Sequence, residues 1–264
     1  MEEFVVFGKL YLLIAAIMLL PYYFIPAGAM YYLFFIRNRE KWDYMRIQDK
    51  YPVKKAILYE IKWSVWALLV FTLLSTVMVT IIMNGDTKMY FEIGEFGWPY
   101  FVFSIILAFF LHDAYYYWMH RFMHNKKVFR HIHLVHHRSK TPTPFAIYSF
   151  QPLEVFLQFM VYPFMLFLIP YHPVAFGIFI AYDLFINVAG HTGFEFLPAR
   201  FTDHWFFRWQ NSVTHHDMHH SHLTSNFGLY FNIWDRLMGT LHKDYQQTFK
   251  SVKARENSTQ NVSS

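Results

Sequence analysis

The chain has 264 residues, of which 55% are hydrophobic, 22% are aromatic and only 16% are charged. This composition is too apolar and too weakly charged for an ordinary water-soluble domain, and it indicates a membrane protein. The formal net charge of +5 is small and no nucleic-acid motif is present, which argues against a nucleic-acid partner.

Apolar segments long enough to cross a bilayer, which takes about 20 residues, recur along the chain. Pro21 and Pro26 lie in the first of them and are expected to kink it, as membrane helices tolerate. We therefore predict an all-α, multi-pass transmembrane helical bundle, with four spans or with three spans and a short hairpin. The predicted segments are residues 10–36, 63–83 and 97–119, and the hairpin arms are residues 153–169 and 174–190.

Basic residues are concentrated in the 37–62 loop and after residue 120, whereas the 84–96 loop contains a single one, Lys88. The positive-inside rule places the first two regions on the cytoplasmic side of the membrane. If the predicted spans cross the membrane in turn, every histidine-rich stretch lies on that same side, where these stretches form a helical cap on the bundle. We predict an integral membrane protein of a bacterial plasma membrane or of the endoplasmic reticulum.

The chain is predicted to form one membrane-embedded domain, residues 1–245, whose histidine-bearing core is residues 97–245. Residues 192–210 are aromatic and amphipathic, and we expect a helix lying in the membrane interface there. Residues 227–242 are expected to form a helix that closes over the site. The remaining residues, 246–264, are polar and are predicted to be a disordered tail.

Histidine is the residue type that carries the chemistry, with 16 copies and no cysteine in the chain. The absence of cysteine excludes a thiolate zinc site and an iron–sulfur cluster. One H-x-x-x-H motif, two H-x-x-H-H motifs and one separate histidine suit two metal ions, because imidazole is a common transition-metal ligand. Helical spacing is expected to turn the rings of each motif to one side. The candidate ligands are His120, His124, His133, His136, His137, His191, His216, His219 and His220.

These three motifs, in this order, resemble those of the sterol desaturase/fatty acid hydroxylase superfamily of membrane di-iron oxidases. The stretch YYYWMHRFMHNKKVFRHIHLVHH is similar to the core of that family. TPTPFAIYSFQPLEVFLQ resembles its sterol C5-desaturase branch, and HHDMHHSHLTSNFGLYFNIWDRLMGTLH resembles both that branch and cholesterol 25-hydroxylase. The resemblance covers about residues 97–245.

The resemblance implies that the nine histidines bind two iron ions, which zinc can displace, although the spacing alone would accept zinc or copper. It assigns no catalytic residue beyond the metal ligands. Asn187 stands where some relatives carry a further histidine, and it is expected to act through a water molecule. Asp113 and His215 are candidates for orienting a ligand ring from behind.

The function implied is the hydroxylation or desaturation of a lipid, either a sterol or a fatty acyl chain, with O₂ as co-substrate. Electrons would come from a separate carrier, such as cytochrome b5 or a ferredoxin with its reductase. The lipid is expected to arrive from the bilayer, through an apolar cavity walled by residues 140–152 and 192–210.

Two other functions fit the histidine pattern less well. A histidine-lined membrane metal transporter would place its site near the bilayer midplane between repeated halves, and the chain has no such repeat. A haem carrier with two histidine ligands would leave both H-x-x-H-H motifs unexplained.

Overall fold

The computed structural model describes residues 2–262, and side chains for residues 3–255, as a helical bundle with a helical cap at one end. Apart from two isolated β-bridges, these residues form helices and loops, which confirms the predicted all-α class. The helices are α1 (Glu2–Leu19), α2 (Ile25–Tyr31), α3 (Lys54–Met83), α4 (Gly97–Met123), α5 (Phe129–Ile132), α6 (Leu134–His137), α7 (Pro152–Phe159), α8 (Val161–Leu168), α9 (Pro173–Gly190), α10 (Val213–His222), α11 (Ile233–Leu237) and α12 (Tyr245–Val262).

Four helical segments within residues 2–262 are long and apolar enough to cross a bilayer. The first of them is interrupted by π-helical turns at Leu20–Phe24 and Tyr32–Arg37. Pro21 lies in the first turn, where the wider helix accommodates a residue that cannot donate a backbone hydrogen bond. The segments are Glu3–Arg37, Lys54–Met83, Gly97–Met123 and Pro173–Gly190.

The helices α3 and α4 are longer than predicted, and the extra turns lie at the histidine-bearing end. Helix α3 begins at Lys54 rather than at residue 63. Lysine side chains can extend their charged ends toward water from a helix that enters the bilayer, so charge did not mark the helix boundary. Helix α4 continues to Met123, which carries the first histidine motif out of the apolar span on a rigid helix.

The hairpin of α7, α8 and α9 runs the whole length of the bundle. At the end remote from the histidines, Lys88 N donates a hydrogen bond to Leu166 O at 3.0 Å. Tyr100 Oη donates to Pro170 O in the same region, at 3.1 Å. At the other end Glu154 contacts His133. The 84–96 loop and the hairpin turn therefore share one end of the bundle, and the histidine motifs share the other.

The predicted disordered tail is instead a helix in the described residues. Residues 246–262 belong to α12, in which Phe249 is fully buried and Val252 is nearly so. Two apolar residues three positions apart give an otherwise polar helix one face that packs. Tyr245 Oη, at its start, donates to Ser212 Oγ at 3.1 Å. Residues 263 and 264 of the predicted tail lie outside the described residues.

Two other segments predicted as helices are mostly irregular. Residues 192–210 contain only short 3₁₀ turns, at Phe201–Asp203 and Phe207–Trp209, although Trp205 is 75% exposed, as an interfacial side chain would be. Residues 227–242 contain only α11. Side-chain carboxylates accept hydrogen bonds from the backbone of residues 227–231, and they replace the hydrogen bonds of a helix.

Candidate metal centre

The nine predicted ligands converge at the capped end of the bundle, although they come from distant parts of the chain. The first motif ends α4, and His191 directly follows α9. The second motif begins at His133, between α5 and α6, and continues on α6, and the third lies on α10. The helix ends thus deliver the rings to one place from four directions.

The rings form two groups, and within each group the candidate ligand atoms all lie within 4.8 Å of one another. The five-histidine group consists of His120, His124, His133, His137 and His219. The four-histidine group consists of His136, His191, His216 and His220.

Each H-x-x-H-H motif is divided between the two groups, contrary to the expectation that its rings share one side. His136 and His137 are adjacent in sequence but belong to different groups, as do His219 and His220. Successive residues of a helix point about 100° apart, so a helix lying between two sites serves both with neighbouring residues. The rings of His137 and His220, one from each group, have centroids only 5.0 Å apart. The two groups are therefore neighbours.

The distances between ring nitrogens fit metal ions. Within the groups, neighbouring Nε2 atoms lie 3.0 to 3.5 Å apart, as in His216 with His191 at 3.0 Å and His191 with His136 at 3.5 Å. Two nitrogens bound to one ion at about 2.1 Å are about 3.0 Å apart at a right angle and about 3.4 Å apart in a tetrahedron. Unprotonated nitrogens at this distance repel each other unless a cation lies between them.

In five of the nine rings, the partner of the outer nitrogen defines which tautomer the histidine adopts. His133 Nδ1 donates to Glu154 Oε1 at 2.6 Å, and four other rings donate from Nδ1 to backbone carbonyl groups. Because these partners are acceptors, Nδ1 carries the hydrogen and Nε2 presents its lone pair to the centre of the group. The four carbonyl acceptors belong to Phe227, Asn187, Ser225 and Ser139, for His120, His191, His219 and His220 respectively.

Burial keeps the rings neutral. Burial, and then the adjacent histidines, lower the pKa of His136, His216 and His220 well below the usual value. Burial lowers the pKa of His191 to about 4. Neutral imidazole is the form that binds metal, so the rings are ready for an ion without losing a proton.

A loop at residues 227–231 holds one wall of the five-histidine group. Asp235 accepts hydrogen bonds from Phe227 N and Gly228 N, both at 2.8 Å. Although burial acts to raise the pKa of Asp235, the adjacent His215 ring and the hydrogen bonds from this loop bring the pKa down to about 2. A Cβ atom on Gly228 would lie 2.3 Å from Phe231 O, so the loop can close this tightly only around glycine.

The three predicted auxiliary residues lie close to the site but do not contact it in the same way. The carboxylate of Asp113 accepts from Tyr230 N at 2.8 Å and Phe231 N at 3.1 Å, so it supports the loop rather than a ring. His215 Nε2 lies 3.2 Å from Asp235 Oδ2, behind the same loop. The carbonyl of Asn187 accepts from His191 Nδ1 at 2.7 Å. A water-mediated role for the Asn187 side chain stays a prediction.

Sequence reasoning missed Glu154 and Asp183, although a signal was present. They are the only acidic residues in the apolar hairpin, and ionisable residues inside membrane segments usually serve a site. Both are buried. Glu154 orients His133, and Asp183 accepts from Tyr230 Oη at 2.6 Å beside the four-histidine group.

Two cavities extend to the four-histidine group. One, of about 190 Å³, is lined by His191 and His216 and by residues of the 192–210 stretch. The other is a small polar pocket lined by His136 and His191, and it adjoins an apolar cavity of about 240 Å³ between the membrane helices. The segments 140–152 and 192–210 therefore line separate cavities, and not one shared cavity as predicted.

Comparison with known proteins connects this geometry to an enzyme family. A family model described as fatty acid hydroxylase matches residues 105–240, which include all nine histidines. The chain is 31% identical to human lathosterol oxidase over 221 residues, covering 83% of this chain and 70% of that protein. It is 30% identical to a Delta(7)-sterol 5(6)-desaturase of Gibberella zeae over 218 residues, covering 83% of this chain and 64% of that protein. No solved structure matches the chain.

Proposed function

Since the chain belongs to the fatty acid hydroxylase family, and is thus an oxygen-dependent oxidoreductase that acts on lipids, we propose that its two histidine groups bind two iron ions. The observation that carries this proposal is the convergence of nine Nε2 atoms into groups of five and four. Bound iron would supply the activation of O₂ needed to remove a hydrogen atom from an unactivated C–H bond. Hydroxylation and desaturation both begin with that removal.

The protein's own residues position the ions and exclude water. The nine rings would hold the ions, and the acceptors on the outer nitrogens of five of them prevent those five rings from rotating. Seven of the nine histidines are at least nine-tenths buried, His124 and His216 are partly exposed, and the site is closed on one side by the 227–231 loop. A dry site protects an oxidising centre from side reactions with solvent.

We infer a sterol-like lipid as substrate, because the matched relatives are named for the oxidation of sterols. The apolar cavity between the membrane helices supports this assignment. Its lining on α3 extends from Leu68 to Ile82, which is about 20 Å of helix. Burial in such a cavity contributes about 0.8 kcal/mol for each CH₂ group, which favours a long apolar substrate over a small soluble one.

The electron donor is proposed to be an acidic carrier, such as cytochrome b5 or a ferredoxin, that docks on the cytoplasmic face. Exposed basic side chains surround the second histidine motif, and opposite charge would steer such a carrier to the site. They are Arg121, Lys126, Lys127, Arg130, Arg138 and Lys140.

The test is lipid mass spectrometry on iron-loaded protein in lipid nanodiscs, supplied with O₂, a reduced carrier and a Δ7-sterol. We expect a product that has gained one oxygen atom or lost two hydrogen atoms, and no product when O₂ or the carrier is omitted. An unchanged sterol, together with metal uptake into sealed vesicles containing the protein, would contradict the proposal and favour a transporter.

A further inference from the structure

A small polar pocket lies beside the four-histidine group, and the metal ligands do not account for its polar residues. Its volume is about 30 Å³, which is room for one small polar group such as a hydroxyl. His136 and His191 form part of its wall. The remaining polar side chains of the wall are His112, Tyr116, Tyr148, Gln158, Tyr162, Asp183 and Asn187.

One side of the pocket is a network of hydrogen bonds around Asp183. Tyr230 Oη donates to Asp183 Oδ1 at 2.6 Å, and Asn187 Nδ2 donates to the same oxygen at 3.1 Å. His112 Nδ1 lies 2.8 Å from Tyr230 Oη and donates to it, because the tyrosine hydrogen is already engaged. The network holds an acceptor, the Asp183 carboxylate, at the wall of the pocket.

The other side of the pocket presents hydroxyl groups without partners. Among the residues that the structure describes, no hydrogen bond engages the hydroxyl of Tyr116 or that of Tyr162. Tyr116 is 92% buried, since only 8% of its surface is exposed. A hydroxyl that faces a small enclosed pocket gains free energy when it is paired, so a pocket that leaves two hydroxyls unpaired is suited to a ligand that pairs them.

The polar pocket adjoins the apolar cavity that runs between the membrane helices. Phe71, Tyr148 and Tyr162 line both spaces. The lining of the larger space is otherwise nearly all apolar, from Met18 on α1 to Ile180 on α9. The combined space is therefore apolar along the bundle and polar only at its end, next to the candidate metal ligands.

We propose that this pocket binds a hydroxyl group of the lipid substrate, with the lipid's apolar body in the adjoining cavity. A hydroxyl can accept from a tyrosine and donate to Asp183 at once, whereas a carbonyl can only accept. This inference rests on the proposed function, and it narrows the substrate to lipids whose hydroxyl lies within a few bonds of the reacting carbon. A fatty acyl chain oxidised at its middle has its polar end too far away.

The experiment measures equilibrium binding and turnover separately, for wild-type protein in nanodiscs. The ligands are a Δ7-sterol, the matching ketone and the analogue that lacks the oxygen. Tyr116→Phe and Tyr162→Phe each remove one hydroxyl and keep the ring. Tyr115→Phe is the matched control, because the Tyr115 hydroxyl donates to Leu157 O at 2.7 Å, outside the pocket.

We expect wild-type protein to bind the sterol about tenfold more tightly than the analogue without oxygen, with the ketone between them. Tyr116→Phe and Tyr162→Phe should weaken binding of the sterol about five- to tenfold and leave binding of the deoxy analogue unchanged. Tyr115→Phe should retain the wild-type preference.

Equal binding of all three ligands by wild-type protein, or equal weakening of all three in the two pocket variants, would overturn the proposal. Because binding does not require iron, O₂ or electrons, the expected binding pattern without turnover would count against the proposed function and not against the pocket. Turnover of all three ligands at one rate and one KM would support the proposed function and contradict the proposal that the pocket binds a hydroxyl group.

Discussion

The hydrogen bond on the outer nitrogen decides what each histidine ring can do. In the five rings whose Nδ1 donates to an oxygen, the inward Nε2 can only accept, and a metal ion is the partner that satisfies several such nitrogens at once. A ring without such a restraint would be free to rotate or change tautomer. The acceptors are therefore as much a part of the candidate site as the rings.

Substituting one histidine from each group tests both groups. His136→Ala and His219→Ala should each leave the protein able to insert, since insertion depends on the apolar spans and flanking charges. Each variant should lose about one of two bound ions and retain less than about a tenth of wild-type turnover, a loss of at least about 1.4 kcal/mol in barrier terms. Metal analysis and turnover of purified protein measure both effects.

His172→Ala is the control for these variants, because His172 lies at the opposite end of the bundle, where its Nε2 donates to Phe91 O at 3.1 Å. It should retain both metal and activity. Full metal content in either His136→Ala or His219→Ala would show that the substituted ring is not a ligand.

Glu154 is predicted to hold the tautomer and orientation of His133. Glu154→Gln replaces the carboxyl acceptor of His133 Nδ1 by an amide, so we expect metal affinity at the five-histidine group to fall about 10- to 100-fold. Competition with a metal chelator measures the change. Glu60→Gln is the matched control, since Glu60 is also a fully buried carboxylate but contacts Thr143 and no ligand ring. Equal metal loss in both variants would indicate a general folding defect.

Among the elements, the 227–231 loop connects the candidate metal centre to the membrane helices. The Phe227 carbonyl of the loop orients His120. Asp235 in the cap and Asp113 on α4 in the bundle each accept hydrogen bonds from the backbone of the loop. Two carboxylates on different helices thus accept backbone hydrogen bonds from one short loop. A shift of this loop would therefore move the Phe227 carbonyl that orients His120.

Gly228→Ala tests the loop directly. The new Cβ would lie 2.3 Å from Phe231 O, so the backbone must move, at a cost of about 1–3 kcal/mol. We expect lower thermal stability and a metal affinity reduced at the five-histidine group. Gly177→Ala on α9 is the control, because nothing lies within 4 Å of its added Cβ. Unchanged metal binding in Gly228→Ala would show that the loop does not position His120.

Across the whole molecule, the threading of the helices brings every histidine motif to one end. Helices α4 and α9 both end there, whereas α3 starts there, and the hairpin turn meets the 84–96 loop at the far end. This common end is a property of the fold itself. That it faces the cytoplasm is a prediction from the distribution of basic residues.

Single cysteines can test that orientation, because the chain contains no cysteine and gives no background. Lys126 and Asp86 are exposed at opposite ends of the bundle. With a membrane-impermeant thiol reagent, Asp86→Cys should be labelled in intact cells, and Lys126→Cys only after the membrane is opened. The reverse pattern would place the candidate metal centre on the outer side.

From the sequence alone one can predict which nine histidines meet and which segments are apolar enough to enter a bilayer. Both follow from local spacing and composition, which the chain carries without reference to its fold. The prediction from sequence was wrong where tertiary packing favoured another conformation, as in the helical tail held by Phe249 and the irregular 227–231 loop. In the tail, a polar average composition concealed the one apolar face that packs. In residues 227–231, hydrogen bonds from the backbone to side-chain carboxylates replaced those of a helix.

The division of the rings between two groups, and the atoms that orient them, are visible only in the tertiary structure. The carbonyl groups of Ser139, Ser225 and Phe227 accept from ligand rings, yet every residue has a carbonyl, so no sequence pattern marks these three. The pocket around Asp183 likewise exists only because α4, α9 and the 227–231 loop meet. Contacts between distant segments depend on how the helices pack, so they cannot be predicted from the spacing of residues along one segment.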